Sequence, residues 1–200
     1  DATTGAVTLN AATIAANLSG SAADLADGFD GITTHTGVLT VTGTSAAAAD
    51  LIVLDTASAS TVASATPATI TGTAANIKTV ITSTGITTAT DYNVTITGVS
   101  ELSQLSTMDA DTTGTITAAD ITDTFDNIQF LATNHSAVLG DATGTITADG
   151  NFLDNVMDMS SIGSLADLTI NGAAGDDTIL GAKGNDTITG GTGNDTLFGG

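Results

Sequence analysis

The chain of 200 residues has no cysteine, no tryptophan, no arginine and a single proline, and only 3% of it is aromatic. Without cysteine there are no disulfides and no thiolate metal sites. So few aromatic residues leave little material for a compact globular core, and a stacked repeat architecture needs less of it. Positive charge is the other shortage: Lys78 and Lys183 stand against 22 acidic residues, of which only Glu101 is not aspartate, for a formal charge of −20. Such a chain cannot grip a nucleic-acid backbone, which calls for dense Lys and Arg, but it attracts divalent cations. No run approaches the roughly 20 apolar residues of a membrane span. No initiator Met and no signal segment stand at Asp1, and the last residues stop inside a repeat, so the sequence reads as a piece of a longer protein.

What is present is clearest at the C-terminal end. Three nine-residue units run in tandem from Gly172 to Phe198, each with glycine at its first and fourth positions (Gly172 and Gly175, Gly181 and Gly184, Gly190 and Gly193). Aspartate holds the sixth position as Asp177, Asp186 and Asp195, and an apolar residue the eighth as Ile179, Ile188 and Leu197. A fourth unit opens at Gly199-Gly200. Glycines permit tight turns with uncrowded carbonyls, and a carboxylate added to those carbonyls gives the oxygen set that a hard cation such as Ca²⁺ requires. After each turn, Thr-apolar-variable reads as a very short strand with one inward side chain. A single unit cannot bury that residue, so the units must stack.

This stretch resembles the RTX, or hemolysin-type, calcium-binding repeats of secreted bacterial proteins. The resemblance implies a parallel β-roll in which two nonapeptides make one coil and each ion lies between a turn and the turn two units on. Carried over, Asp177 and Asp195 share an ion with carbonyls of Gly172, Gly175, Gly190 and Gly193. Asp186, with Gly181 and Gly184, needs the fourth unit to complete its site. Ala173 and Ala182 depart from the pattern, each standing where the second glycine is usual.

Upstream a looser period runs through Val7-Thr8-Leu9, Thr40-Val41-Thr42, Thr69-Ile70-Thr71, Thr95-Ile96-Thr97, Thr115-Ile116-Thr117, Thr145-Ile146-Thr147 and Thr169-Ile170-Asn171. The intervals between their apolar members are unequal but all fall in the range of solenoid repeats. Several strands are entered through an Asp-to-Gly turn (Asp1 to Gly5, Asp111 to Gly114, Asp141 to Gly144), where glycine is expected to be left-handed and Asp to cap the backbone. Offsets of three and four predict helices through Ala75, Ile77, Val80 and Ile81; Leu102, Leu105 and Met108; Ile121, Phe125, Ile128 and Leu131; and Phe152, Val156, Met159 and Ile162. Ser100, with Glu101 just inside, is the expected N-cap of the second. The predicted fold is an α/β solenoid over 1–168 with a parallel sheet on one side, followed from 169 to 200 by the start of a calcium-binding β-roll. Residues 65–150 are also similar to repeats of very large surface proteins of cyanobacteria and other marine bacteria.

Other candidate sites are sparse. Asp109, Asp111 and Asp120 occupy positions 1, 3 and 12 of an EF-hand-like loop with Gly114 at 6, which reads either as a weak calcium loop or as a solenoid turn. His35 and His135 are expected to be solvated loop residues. Outward threonine ladders admit ice binding as a minor alternative. No nucleophile elbow or phosphate loop occurs, so no catalytic residue is expected. The sequence reads as part of a secreted, calcium-binding, structural or adhesive cell-surface protein (S-layer, sheath or large adhesin), with self-association or cell-surface polysaccharide as partners. The alternative is an accessory region of an RTX enzyme or toxin whose active domain lies elsewhere.

Overall fold

A computed structural model describes residues 15–29, 32, 34–64, 68–162 and 167–200. The expected strand at Val7-Thr8-Leu9 and the turn at Asp1 lie outside them. The chain divides into two compact units, Asp1–Thr95 with Ala110–Thr115, and Ile96–Asp109 with Ile116–Gly200.

The first unit runs β1 (Leu18–Gly20), α1 (Ala22–Gly28), β2 (Leu39–Val41), β3 (Ser45–Ala47), α2 (Ala48–Ala57), β4 (Val62–Ser64), β5 (Thr69–Gly72), α3 (Ala74–Thr82), β6 (Ile86–Thr88) and β7 (Asn93–Ile96). Strands β1, β2, β4 and β6 form one parallel sheet, and β3, β5 and β7 follow one another in a second. Leu39 pairs with Val62 and Val62 with Ile86, and Ala46 pairs with Ile70, so apolar residues stack from coil to coil. Leu51, Leu54, Ile77 and Val80 on the helices are fully buried against them. Helices α1 and α3 start where a hydroxyl ends the strand, Ser21 accepting from Asp24 N and Thr73 from Asn76 N, whereas α2 starts at Ala47 with no side-chain cap.

The helices that end at Ala57, Thr82 and Asp111 are each followed by a turn of one kind. Ser58 Oγ accepts from Ser60 N, Ser83 Oγ from Gly85 N and Thr112 Oγ1 from Gly114 N, at 3.0–3.1 Å. This corrects the expected Asp-capped, left-handed turn. The hydroxyl of Thr112 caps, while Asp111 accepts from the Tyr92 hydroxyl at 2.6 Å. Burial and that carboxylate push the Tyr92 phenol pKa far up. Gly114 is required because a Cβ there would strike the Tyr92 carbonyl of the preceding coil. Neither Gly114 nor Gly144 has a positive φ.

The second unit runs β8 (Val99–Ser100), α4 (Leu102–Asp111), β9 (Ile116–Thr117), β10 (Asp120–Thr124), α5 (Phe125–Asn134), α6 (Ser136–Gly140), β11 (Ile146–Asn151), β12 (Val156–Asp158), β13 (Leu168–Ala173), β14 (Thr178–Leu180), β15 (Thr187–Thr189) and β16 (Thr196–Phe198). One sheet has the order β8-β10-β11-β13-β15 and a second β12-β14-β16. All pairings are parallel and neither sheet closes, which makes the fold solenoid-like. Thr122, Thr147, Thr169 and Thr187 form a threonine ladder, in which Thr122 stands in place of the expected Thr117.

The register shows the coil contracting. Ile121 pairs with Ile146, Ile146 with Leu168, and Ile170 with Ile188, each coil shorter than the one before it. The first of these coils contains α5 and α6, and the later ones replace the helices by a turn and a second strand. The predicted helix through Phe152, Val156, Met159 and Ile162 is therefore overturned. Phe152 and Val156 are 82% and 74% exposed whereas Met157 and Met159 are buried, an alternation of period two. Strand pairing wins because β14 gives β12 a full register of partners. At the end of β12, Asp158 accepts from Ser160 N and Oγ, and those bonds hold its carboxyl below the usual pKa.

Other expectations shift similarly. Ile121 is a buried strand residue, not the start of a helix face. Ser100 does not cap α4: its hydroxyl donates to Asp120 O, and Asp123 Oδ2 from the neighbouring strand accepts from Leu102 N at 2.8 Å. Neither histidine is a free loop residue, although His135 stays partly exposed. His35 is fully buried, edge-on to Phe29, with Nε2 at 2.9 Å from Ala16 O, and His135 Nδ1 lies 2.6 Å from Asp109 Oδ2.

Candidate calcium site

The site is built where the glycine-rich turns stack. Thr178 pairs with Thr196 and Thr169 with Thr187, so the register advances by two nonapeptides per coil. Turn 172–177 is thereby carried onto turn 190–195, and 181–186 onto the turn opening at 199. The fourth-position residues Gly175, Gly184 and Gly193 have φ of 118°, 140° and 135°, a conformation in which a Cβ would be strained. A methyl on Gly193 would also strike the Gly175 carbonyl, so these turns stack on bare backbone.

Two ladders of side-chain oxygens fix the stack. At the sixth position, Asp177 N donates to Asp195 Oδ1 at 3.0 Å, Asn155 N to Asp177 Oδ1 at 2.8 Å, and Leu168 N to Asp186 Oδ1 at 3.1 Å. At the fifth, Asp176 N donates to Asp154 Oδ1, Asn194 N to Asp176 Oδ1 and Asn185 N to Asp167 Oδ1, at 2.8–3.0 Å. Sequence reasoning missed the second ladder, although an Asp or Asn at every fifth position (Asp176, Asn185, Asn194) was there to be read.

The sixth-position carboxylates are left half satisfied. Asp177 is 1% exposed, and Oδ2 of both Asp177 and Asp186 is buried without a hydrogen-bond partner. Burying a carboxylate oxygen without a partner is costly unless positive charge meets it. Other oxygens converge at the same places. A methyl on Gly172 would strike both Asp177 Oδ2 and the Gly190 carbonyl, and one on Gly181 would crowd Asp186 Oδ2 and the Gly199 carbonyl. Asp195 Oδ2 takes the corresponding position beside Gly190. Among the described residues no three acidic or histidine side chains converge, so any cation held here is held by carbonyls with one or two carboxylates. That all-oxygen set suits calcium.

Residues 169–200 match the model of the RTX calcium-binding nonapeptide repeat (4 copies). This stretch is a calcium-binding repeat region. No curated protein and no solved structure matches the chain. The upstream residues 65–150 thus gain no relative from these comparisons.

The residues present fit the ion that such repeats bind. Asp177 and Asp195 with the carbonyls of Gly172, Gly175, Gly190 and Gly193 would hold it in one column of turns, and Asp186 with Gly181 and Gly184 in the other. When bound, calcium supplies the positive charge that the buried carboxylates lack. Gly199 already presents its carbonyl to the Asp186 turn, so part of that second set is in place.

The EF-hand-like candidate is not assembled. Asp109 faces His135, Asp111 takes the Tyr92 hydroxyl, and Asp120 Oδ1 accepts from Thr145 N at 2.8 Å. The three carboxylates take three separate partners, Asp109 and Asp111 near the end of a helix and Asp120 at the start of a strand.

Proposed function

We propose that the chain is a segment of a secreted structural or adhesive cell-surface protein, in which strand–helix coils form a permanent spacer and the nonapeptides form a β-roll set by calcium. The observation that supports this reading is the contrast in burial. Strand–helix coils enclose complete apolar layers such as Leu39, Leu51, Leu54 and Val62, whereas the nonapeptide turns enclose carboxylate oxygens that have no partner in the protein. Calcium sites of extracellular modules bind at about 10⁻⁴ to 10⁻³ M, so such turns fill outside a cell and stay empty in a cytosol. Secretion is typical of RTX proteins and agrees with that range. Among the described residues no helix is long and apolar enough to cross a membrane. The proposed role is mechanical, with no catalytic step.

Antibody raised against the 200 residues should label intact cells of the source organism, and washing with EGTA should reduce the label. Label confined to the cytoplasm would overturn the surface role. Label found only in the medium, on a polypeptide carrying a catalytic domain, would favour the accessory-region alternative.

A further inference from the structure

Before Gly172 stands Asn171, and no other Asn in the chain is followed by glycine. The order matters chemically. An asparagine side chain reacts with its own backbone when the next residue's amide nitrogen can reach Cγ, and glycine, having no side chain, leaves that nitrogen open to approach. The other two nonapeptides avoid the pair: Leu180 precedes Gly181 and Thr189 precedes Gly190. In the sheet Asn171 lies opposite Thr189, so one column of turns is entered through an amide on one coil and a hydroxyl on the next.

The fold keeps the pair from that reaction in three ways. Strand β13 is paired on both sides, with Asn171 opposite Asp149 of β11 and Thr189 of β15. Asn171 Oδ1 accepts from Ala173 N at 3.2 Å, which commits the side chain. Gly172 is buried, and even a methyl there would strike Asp177 Oδ2 and the Gly190 carbonyl. Ring closure needs the Gly172 nitrogen to turn out of the strand toward Cγ, and the closed stack leaves no room for that turn. The reaction therefore runs only from opened chains. The packing that demands glycine at 172 is also what makes the opened chain reactive.

We propose that Asn171–Gly172 is a self-modification site, closed while turn 172–177 is stacked on turn 190–195 and open when that stack is released. The inference rests on the calcium reading of these turns, since loss of the ion is what releases the stack. In the opened chain the Gly172 nitrogen gives up its proton and bonds to Asn171 Cγ, the Cγ–Nδ2 bond breaks, and ammonia leaves behind a cyclic imide. Water then opens the imide at either carbonyl. Opening at Cγ leaves an aspartate in an ordinary chain, whereas opening at the main-chain carbonyl leaves an isoaspartate, whose link adds a methylene to the backbone. Register in a stacked sheet is set residue by residue, so the added atom displaces turn 172–177 from turn 190–195. A coil that has reacted this way cannot restack, which makes release from calcium irreversible with time.

The test is incubation of the whole chain in mildly alkaline buffer, with calcium or with EGTA, followed by peptide mass spectrometry and hydrogen exchange on the same samples. In EGTA the Asn171 peptide should take on the mass of the acid and the chromatographic signature of isoaspartate, and no other Asn peptide should match its rate. Opening is fast relative to so slow a reaction, so the rate follows the population of open chains. Calcium at about 10 to 100 times Kd should therefore slow it about 10- to 100-fold. Asn171→Thr, which copies Thr189 of the next coil, removes the reaction. After ageing in EGTA this variant should recover protection at 178–198 when calcium returns, whereas the parent should recover it only in the fraction without isoaspartate. Should Asn171→Thr not fold in calcium, the parent's reacted and unreacted fractions, separated by chromatography, carry the same comparison. An Asn171 peptide that reacts equally fast in calcium and in EGTA, or in neither, while protection at 178–198 still depends on calcium, would overturn the proposal and leave the calcium sites standing. Protection that ignores the chelator would overturn both. Full recovery of protection by chains carrying isoaspartate would overturn the irreversibility.

Discussion

A strand–helix coil and a nonapeptide coil solve one stacking problem with different materials. Between the paired residues Ile121 and Ile146 the chain inserts α5, which buries Ile128 and Leu131 beneath the sheet. Between Ile170 and Ile188 the path is shorter, no helix intervenes, and Ile188 itself is only half-buried. The longer coil carries its own apolar layer. The shorter coil has backbone ladders, one apolar residue per turn and buried carboxylate oxygens with no partner in the protein. Removing a helix from a solenoid coil thus transfers stability from the chain to its ligand.

Removing calcium should break the comparison most visibly. Ligand binding stabilises only the state that binds, with a gain that grows as the logarithm of concentration. Without calcium the turns hold Asp177 and Asp195 close together in a chain of formal charge −20 with little core to offset the repulsion. In EGTA, amide protons of 178–198 should exchange at nearly unprotected rates, while those of β4, β5 and α3 keep their protection. Hydrogen exchange followed by mass spectrometry reads both at once. Protection at 178–198 that ignores the chelator, or loss of protection throughout the chain, would contradict the division of labour.

A smaller effect separates the two kinds of apolar residue. Ile77 is 0% exposed under α3, and truncating such a residue to alanine costs about 2–5 kcal/mol. Leu197 holds the corresponding inward role in the last nonapeptide but is 45% exposed, so Leu197→Ala should cost about 0.5 kcal/mol or less, as at an ordinary surface position. Urea unfolding in millimolar calcium measures both. Equal losses would mean that the last nonapeptide encloses an apolar layer as the strand–helix coils do.

The same contrast explains what could be read from sequence. Thr-Ile-Thr strands were legible because one β-branched residue between threonines has few other uses, and α3 because Ile77 and Val80 fall on one face. The companion strands β3, β4 and β6 were not legible: three residues such as Ser45-Ala46-Ala47 carry no pattern, and only the neighbouring coil makes them strands. Apolar offsets at Phe152, Val156 and Met159 fit a helix, yet the backbone follows β14, since pairing across coils outweighs a local period. For the site, Asp177, Asp186 and Asp195 were legible from spacing alone. His35 was hidden because nothing local announces that Ala16 and Phe29 will meet it.

The smallest effect concerns the second position of the turn, where the repeats disagree. Gly191 and Gly200 have φ of 104° and 99°, and Ala173 is held at 75°, the one non-glycine residue with positive φ among those described. A side chain there costs roughly 1–2 kcal/mol per residue. At Gly191 a Cβ would in addition collide with the Ala173 carbonyl of the preceding coil, so Gly191→Ala should be badly destabilising. Ala173 escapes that collision and bears only the backbone strain. Replacing it with glycine relieves the strain but loosens the unfolded chain by about 0.4–1 kcal/mol. The net gain for Ala173→Gly is therefore about 0.5–1 kcal/mol, which corresponds to a rise in Tm of about 1–4 °C for a chain of this size. The rise should appear only in the calcium-dependent transition, because turn 172–177 belongs to the nonapeptide coils. If instead the Tm of that transition falls, Ala173 is not strained, and its methyl group makes a stabilising contact in the calcium-loaded turn.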